Sequence, residues 1–423
     1  MHSLPKLFRV RQNFETARPG NIPEMVAQTL ERLRPRLKPG DTVAVGAGSR
    51  GISNIADIIR AVCDTLRSFG AAPFIIPAMG SHGGATAEGQ CHILAEYGIT
   101  EETMGVPVKA SMEVIELGQT PGGVRVFLDR HAAEADFMLP VNRVKPHTDF
   151  KGENESGLVK MTAVGFGKLA GAEEYHRQAF HLGYPRVFQE VAQVMLSAGR
   201  LLGGVGILEN ALHETARIEA VAADNFIAED QQLLREAKAM MPRIPCDDID
   251  LLIVDEIGKN ISGAGLDTNI IGRSCQGYIT GVPTHDNTPR ILRLLVCDLT
   301  PESNGNAVGI GMADFTTARF MEKLDLNATV INVLTALTPF NAKLPIWFRN
   351  DREAIEKGLR SAGVADLTRG RVVRIKNTLA LAEIEMSESY LDEVKSRSDL
   401  TIISNAVELS FDAQDNLKPF AAV

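Results

Sequence analysis

Short apolar runs alternate along most of the chain with longer stretches whose apolar residues recur every three to four positions. An unbroken apolar run suits a buried strand, and the 3.6-residue period suits a helix laid over it, so the alternation predicts α/β architecture with mostly parallel sheets. Thr42-Val43-Ala44-Val45 reads as a strand, 54–68 as a helix with Ile55, Ile58, Ile59, Val62 and Leu66 on one face, and Phe74-Ile75-Ile76 as the next strand. Thr86 is expected to cap a helix reaching about Tyr97. Further strands are expected at 137–140, 218–223, 251–254, 291–297, 330–333, 372–375 and 400–403, with helices over 226–240 and 387–394.

At 423 residues the chain exceeds what one core usually supports, which argues for two or three domains. The proline-bounded polar stretch 242–248 is the best linker. The expected division is therefore an N-terminal α/β domain over 1–245, joined by the C-terminal segment 396–423, and a C-terminal α/β domain over 246–395. An active-site cleft between the two is expected, with the linker as hinge, because ligands in such folds sit beyond the carboxyl ends of strands or between domains.

Several classes of function are excluded by composition. A net charge of −9 with 5% aromatic residues argues against nucleic-acid binding, which needs basic surface and stacking rings. No apolar run approaches the roughly 18 to 20 residues of a spanning helix, so no membrane partner is expected. The first residues, Met1-His2-Ser3-Leu4-Pro5-Lys6, contain no apolar core of a secretory signal. Five scattered cysteines without a C-x-x-C pair suggest neither a disulfide framework nor a cysteine zinc site. The expectation is a reduced, cytoplasmic protein.

Three segments could carry chemistry. Gly46-Ala47-Gly48-Ser49-Arg50-Gly51 matches the dinucleotide pattern G-x-G-x-x-G. However, Phe74-Ile75-Ile76 runs into Pro77-Ala78-Met79, where a ribose-binding carboxylate should stand. Arg50 is better suited to a bidentate grip on a substrate carboxylate or phosphate. In Gly80-Ser81-His82-Gly83-Gly84, glycines leave a lone imidazole uncrowded after a strand. The densest segment runs from Asn142 to His176. It holds His147 and His176 among Arg143, Lys145, Lys151, Lys160 and Lys168, interleaved with glycines that include Gly157 beside Ser156. Histidines in polar loops after strands suit acid/base chemistry or a metal.

Taken in order and spacing, these residues resemble the nickel-dependent lactate racemase family over the first half of the chain. Arg50, His82, His147, Lys160 and His176 fall where that family has its substrate arginine, two acid/base histidines, cofactor-tethering lysine and nickel-ligating histidine. The 16-residue interval from Lys160 to His176 is the most specific part of the match. In the second half, Ser262-Gly263-Ala264-Gly265-Leu266-Asp267-Thr268-Asn269 resembles the family's glycine-rich D-x-N stretch.

The resemblance implies a racemase or epimerase of a small 2-hydroxy acid, acting by reversible hydride transfer through a keto-acid intermediate. The implied cofactor is nickel in a nickel pincer nucleotide, a pyridinium-3,5-bisthiocarboxylic acid mononucleotide bound covalently at Lys160. Lys145, Ser156, Gly157 and Lys168 would help hold the nucleotide, and His176 would fill a position on nickel. Where the lactate enzymes have a glutamine and a lysine after the D-x-N stretch, this chain has about Gly272 and Cys275, with Arg273 between them. The acidic residue three before the family's arginine is Ala47 here, and the segment from His147 to Lys160 is about three residues longer. These departures fall on substrate and cofactor contacts and point away from lactate. Arg273, with Lys259, is a candidate for a second anionic group of a diacid or sugar acid. The alternative is a non-catalytic relative that binds a nucleotide or metal, although such a carrier has no use for the His82 and His147 pair. A homo-oligomer is left open by the sequence.

Overall fold

The computed structural model describes residues 3–16, 20–49, 51–276 and 288–420. Arg50 lies outside the described residues. The chain divides into two compact units, Glu15–Met241 on one side and Met1–Phe14 with Pro242–Val423 on the other.

The Glu15–Met241 unit is built on a five-stranded sheet. Its spatial order is Ala72–Pro77, Thr42–Ala47, Phe137–Arg143, Gly203–Glu209 and Thr215–Ala222, and only the last strand runs antiparallel to its neighbour. Strand side chains alternate between faces, and each face has its own core. Val43, Val45, Ile75, Leu139 and Val141 pack with Ile58, Ile59, Val62 and Leu66 of the Ile55–Ser68 helix. Each of these four helix side chains, fully buried, contributes about 1.5–3 kcal/mol of gross transfer free energy. On the opposite face Ala44, Ile76 and Met138 meet Leu158, Val159, Phe166, Phe188, Leu233 and Leu234. Thr86 caps the Ala87–Glu96 helix, its hydroxyl accepting the Gly89 N–H at 3.0 Å.

Gly46, the first glycine of the dinucleotide-like pattern, lies inside a strand. A Cβ there would come within 2.5 Å of the Phe166 ring, so the glycine is required by side-chain packing.

The second unit carries an eight-stranded mixed sheet. Five strands are parallel, in the order Ile346–Phe348, Phe315–Thr317, Arg290–Leu299, Asp248–Ile257 and Val372–Ile375. Three antiparallel strands follow, Glu383–Ser387, Leu7–Gln12 and Leu400–Ile402. The expected assignment of 396–423 to the N-terminal domain is therefore corrected. The tail pairs with Leu7–Gln12, and both termini belong to the unit that Pro242 opens.

One element differs in kind from the sequence reading. Residues 330–333 lie within a helix, Leu326–Thr335, and not in a strand. Asp325 caps it through the Ala328 N–H at 2.9 Å, and Thr329 and Val333, one turn apart, are its buried residues. The β-branched composition argued for a strand, but the cap and the four-residue spacing prevailed. Among the described residues no helix is long and apolar enough to cross a membrane.

Candidate active site

Most of the candidate residues lie in the Glu15–Met241 unit, in segments that follow its parallel strands. The Phe137–Arg143 strand leads into a loop closed by a reciprocal backbone pair. Lys145 N–H donates to Ser156 O at 2.8 Å, and Ser156 N–H donates back to Lys145 O at 3.2 Å. His147 lies within this loop. Its Nδ1 accepts the Asp149 backbone N–H at 3.0 Å, so the neutral ring carries its proton on Nε2. Nε2 stands 2.6 Å from Lys160 Nζ.

Lys160 ends a single α-turn, Leu158–Lys160, and the chain continues as a π-helical turn, Met161–Gly165. Such turns are uncommon and recur at functional sites. Asn142 Nδ2 donates to Gly157 O at 3.1 Å, joining the end of the strand to the start of this segment.

Aromatic side chains connect His147 to His176. The His147 ring stacks on Phe150, with centroids 4.2 Å apart, and Phe150 stacks on Tyr184 at 4.8 Å. Tyr184 meets the His176 ring edge-on at 5.9 Å. Lys160 Nζ lies 5.7 Å from the centre of the Phe150 ring. His176 comes from the Lys168–Leu182 helix. Burial holds its imidazole below the ordinary 6.5, and positive charge on Lys160 acts in the same direction. At neutral pH His176 is therefore an uncharged imidazole, the form that binds a metal.

His82 sits on the loop after Ala72–Pro77, where its Nδ1 meets the Ser49 hydroxyl. The Tyr97 hydroxyl donates to Ser49 O at 2.9 Å and fixes that partner. Gln90 Nε2 donates to Gly80 O at 2.9 Å and to His82 O at 3.3 Å. Gly80 adopts φ 59°, and Val164 and Ala172 would crowd any Cβ there, so the His82 loop packs against the segment between Lys160 and His176.

One expected contact is corrected. Lys168 is fully buried and does not offer its charge to a nucleotide. Its Nζ lies 3.4 Å from the buried Asp129 carboxylate and donates to Pro77 O and Gln90 Oε1, each at 2.8 Å. Lys168 also adopts a left-handed backbone, φ 53°, which costs a non-glycine residue about 1–2 kcal/mol. This conformation is maintained by what the ammonium holds together. Arg273 belongs to the other unit, where its guanidinium donates to Met312 O and the Asp314 carboxylate, both at 2.6 Å. In that unit, Asp267 and Asn269 of the D-x-N stretch serve a local role, Asp267 capping the Thr268–Ile271 turn through the Asn269 N–H at 2.9 Å.

Sequence reasoning missed Ser49, Phe150, Tyr184, Glu155 and Asp230. Ser49 and Phe150 are adjacent to residues already singled out, whereas Asp230, 70 residues beyond Lys160, gives no local signal.

Among the described residues no group of three or more His, Cys, Asp or Glu side chains converges into a metal cage. The donors present fit a metal that takes one imidazole, His176, from the protein and its other donors from a bound ligand.

Residues 31–180 match the family model of the lactate racemase N-terminal domain. No curated protein matches the chain. Among solved structures, the lactate racemase apoprotein of Thermoanaerobacterium thermosaccharolyticum aligns with a TM-score of 0.55 at 13% identity, covering 88% of this chain and 99% of that one. A structural-genomics protein of Thermotoga maritima aligns with a TM-score of 0.47 at 11% identity, covering 78% and 82%. The family match thus spans residues 31–180, about a third of the chain, and the alignment with the lactate racemase apoprotein shows a likeness of fold.

Proposed function

We propose that the protein racemises or epimerises a small 2-hydroxy acid with a nickel pincer nucleotide tethered at Lys160 and ligated through His176. The reading rests on the convergence of Lys160, His147 and His176 around Phe150 and Tyr184 within the unit that carries the family domain. When bound, the nucleotide supplies a reversible hydride acceptor. The protein's part is to move the hydroxyl proton and to hold the carboxylate.

His147 and His82 are assigned the proton transfers. The Nδ1 of each ring is engaged, by the Asp149 N–H in one and the Ser49 hydroxyl in the other, so Nε2 is the transferring atom in both. An imidazole with a pKa near neutrality can accept a proton in one direction and return it in the other. In the unloaded chain His147 Nε2 is turned to the Lys160 amine. Acylation of that amine would remove its charge and its basicity and leave the imidazole to serve the substrate. Arg50 is assigned the carboxylate, in a bidentate grip that would leave only the carbinol centre to change hands. Lys145, Ser156 and Gly157 are assigned to the nucleotide, on the loop beside Lys160.

The test is intact mass and metal content of protein co-produced with pincer-nucleotide synthesis enzymes. A mass increment mapped to Lys160 with about one nickel per chain, followed by loss of optical activity of some 2-hydroxy acid, is the expected outcome. An unmodified Lys160 without nickel, despite a working cofactor supply, refutes it. A loaded protein that turns over no 2-hydroxy acid would instead be a nucleotide- or metal-binding relative.

A further inference from the structure

The His147 loop and the Lys160 turn are both tied to one helix distant in sequence, Phe226–Met240. Asp230, on that helix, is 1% exposed. Its Oδ1 accepts the Leu158 N–H at 2.8 Å, and its Oδ2 accepts Asn154 Nδ2 at 2.8 Å and the Val159 N–H at 3.4 Å. These backbone donors open the turn that ends at Lys160 and have no partner within it. Gly157 makes the approach possible, since a Cβ there would lie 2.5 Å from Asp230 Oδ1.

Lys238, eight residues further and thus about 12 Å along the helix axis, holds the second tie. Its Nζ donates at 2.7 Å to Glu155 Oε1, and Glu155 is 2% exposed. The other oxygen of Glu155 accepts the His147 backbone N–H at 2.7 Å, and Oε1 also accepts the Gly152 N–H at 3.3 Å. Lys151 stands 3.6 Å from the same carboxylate and donates to His147 O at 2.9 Å. Burying two carboxylates costs several kcal/mol unless every lone pair finds a donor, so such groups persist where their geometry is needed.

We infer that Asp230 and Glu155 are positioning residues that fix the tether lysine and the His147 base against each other. The Phe226–Met240 helix is the common scaffold, Asp230 setting the start of the Lys160 turn and the Lys238–Glu155 pair setting the backbone of His147. The catalytic meaning rests on the function proposed above, but the positioning itself is a property of the unloaded chain.

The test uses the full unloaded chain with 15N-labelled histidine, the His147 signals being assigned with His147→Gln. The native ring is expected to show a single Nε2–H tautomer, one nitrogen protonated and one not. Glu155→Gln and Asp230→Asn are expected to average the two signals while circular dichroism stays native. Lys160→Met, which leaves both carboxylates in place, is expected to shift Nε2 alone. Lys238→Met alters a side chain that is 42% exposed and provides the mild variant should Asp230→Asn fail to fold. A folded Glu155→Gln or Lys238→Met protein with native His147 signals overturns the inference. Because no cofactor is involved, this outcome is separate from the mass and nickel test of the function.

Discussion

Replacing Lys168 with methionine should destabilise the Glu15–Met241 unit severely, although the sequence alone marks this residue as a ligand contact. Methionine conserves most of the aliphatic stem and removes the ammonium. Asp129 would then keep a fully buried carboxylate whose Oδ2 has no hydrogen-bond partner and only the Lys168 charge, 3.4 Å away, for compensation. Pro77 O and Gln90 Oε1 would each lose a 2.8 Å donor. Breaking a buried ion pair from one side costs about 3–5 kcal/mol. With a urea m-value of ~2–3 kcal/mol/M, the midpoint should fall by about 1–2 M. The single tryptophan, Trp347, lies in the other unit, so its fluorescence and far-UV circular dichroism report different parts of the chain. The early transition should appear in circular dichroism with little movement of the fluorescence curve. Adding Asp129→Asn should restore part of the loss, because the stranded charge is gone. A shift below about 0.5 kcal/mol in Lys168→Met, the range of an ordinary surface position, would refute the buried-strut assignment.

Three further outcomes follow from the same structure. His176→Ala should abolish nickel retention in co-produced protein while leaving Lys160 open to modification, read by metal analysis beside peptide mass mapping; undiminished nickel would exclude His176 as the ligand. Asp351 is buried against Arg319, and burial pushes it from an ordinary 3.8 up to about 6. An acid raised in the fold keeps an extra proton there, so stability present below pH 4 should be lost as pH rises toward 6, by up to ~3 kcal/mol. Asp351→Asn should lack this slope, and parallel stability curves for the two proteins would contradict it. Finally, Gly46→Ala should cost about 1–3 kcal/mol by driving a methyl into the Phe166 ring, whereas a neutral result in urea titration would mean the ring yields.

Local pattern carried much of this fold. The Ile55–Ser68 and Phe226–Met240 helices and the Thr86 cap are set by apolar spacing and by one hydroxyl, information contained within a dozen residues. The candidates His82, His147, Lys160 and His176 are singled out in sequence by their place among glycines after strands and by the family resemblance, and their roles are proposals. Other features needed the tertiary structure. Leu7–Gln12 pairs with strands almost 400 residues away, and nothing local distinguishes an edge that will find such a partner. The apolar β-branched run at 330–333 fits strand and helix alike until its burial is known. Lys168 reads as a free cation in a basic segment, yet its ammonium is enclosed by Asp129, Pro77 and Gln90. Asp230 reads as one more acid on an amphipathic helix, yet it holds the turn that presents Lys160. Residue type and spacing are local properties and can be read along the chain. Whether a charge is solvated or buried depends on which distant segments close over it, and only the folded chain determines that.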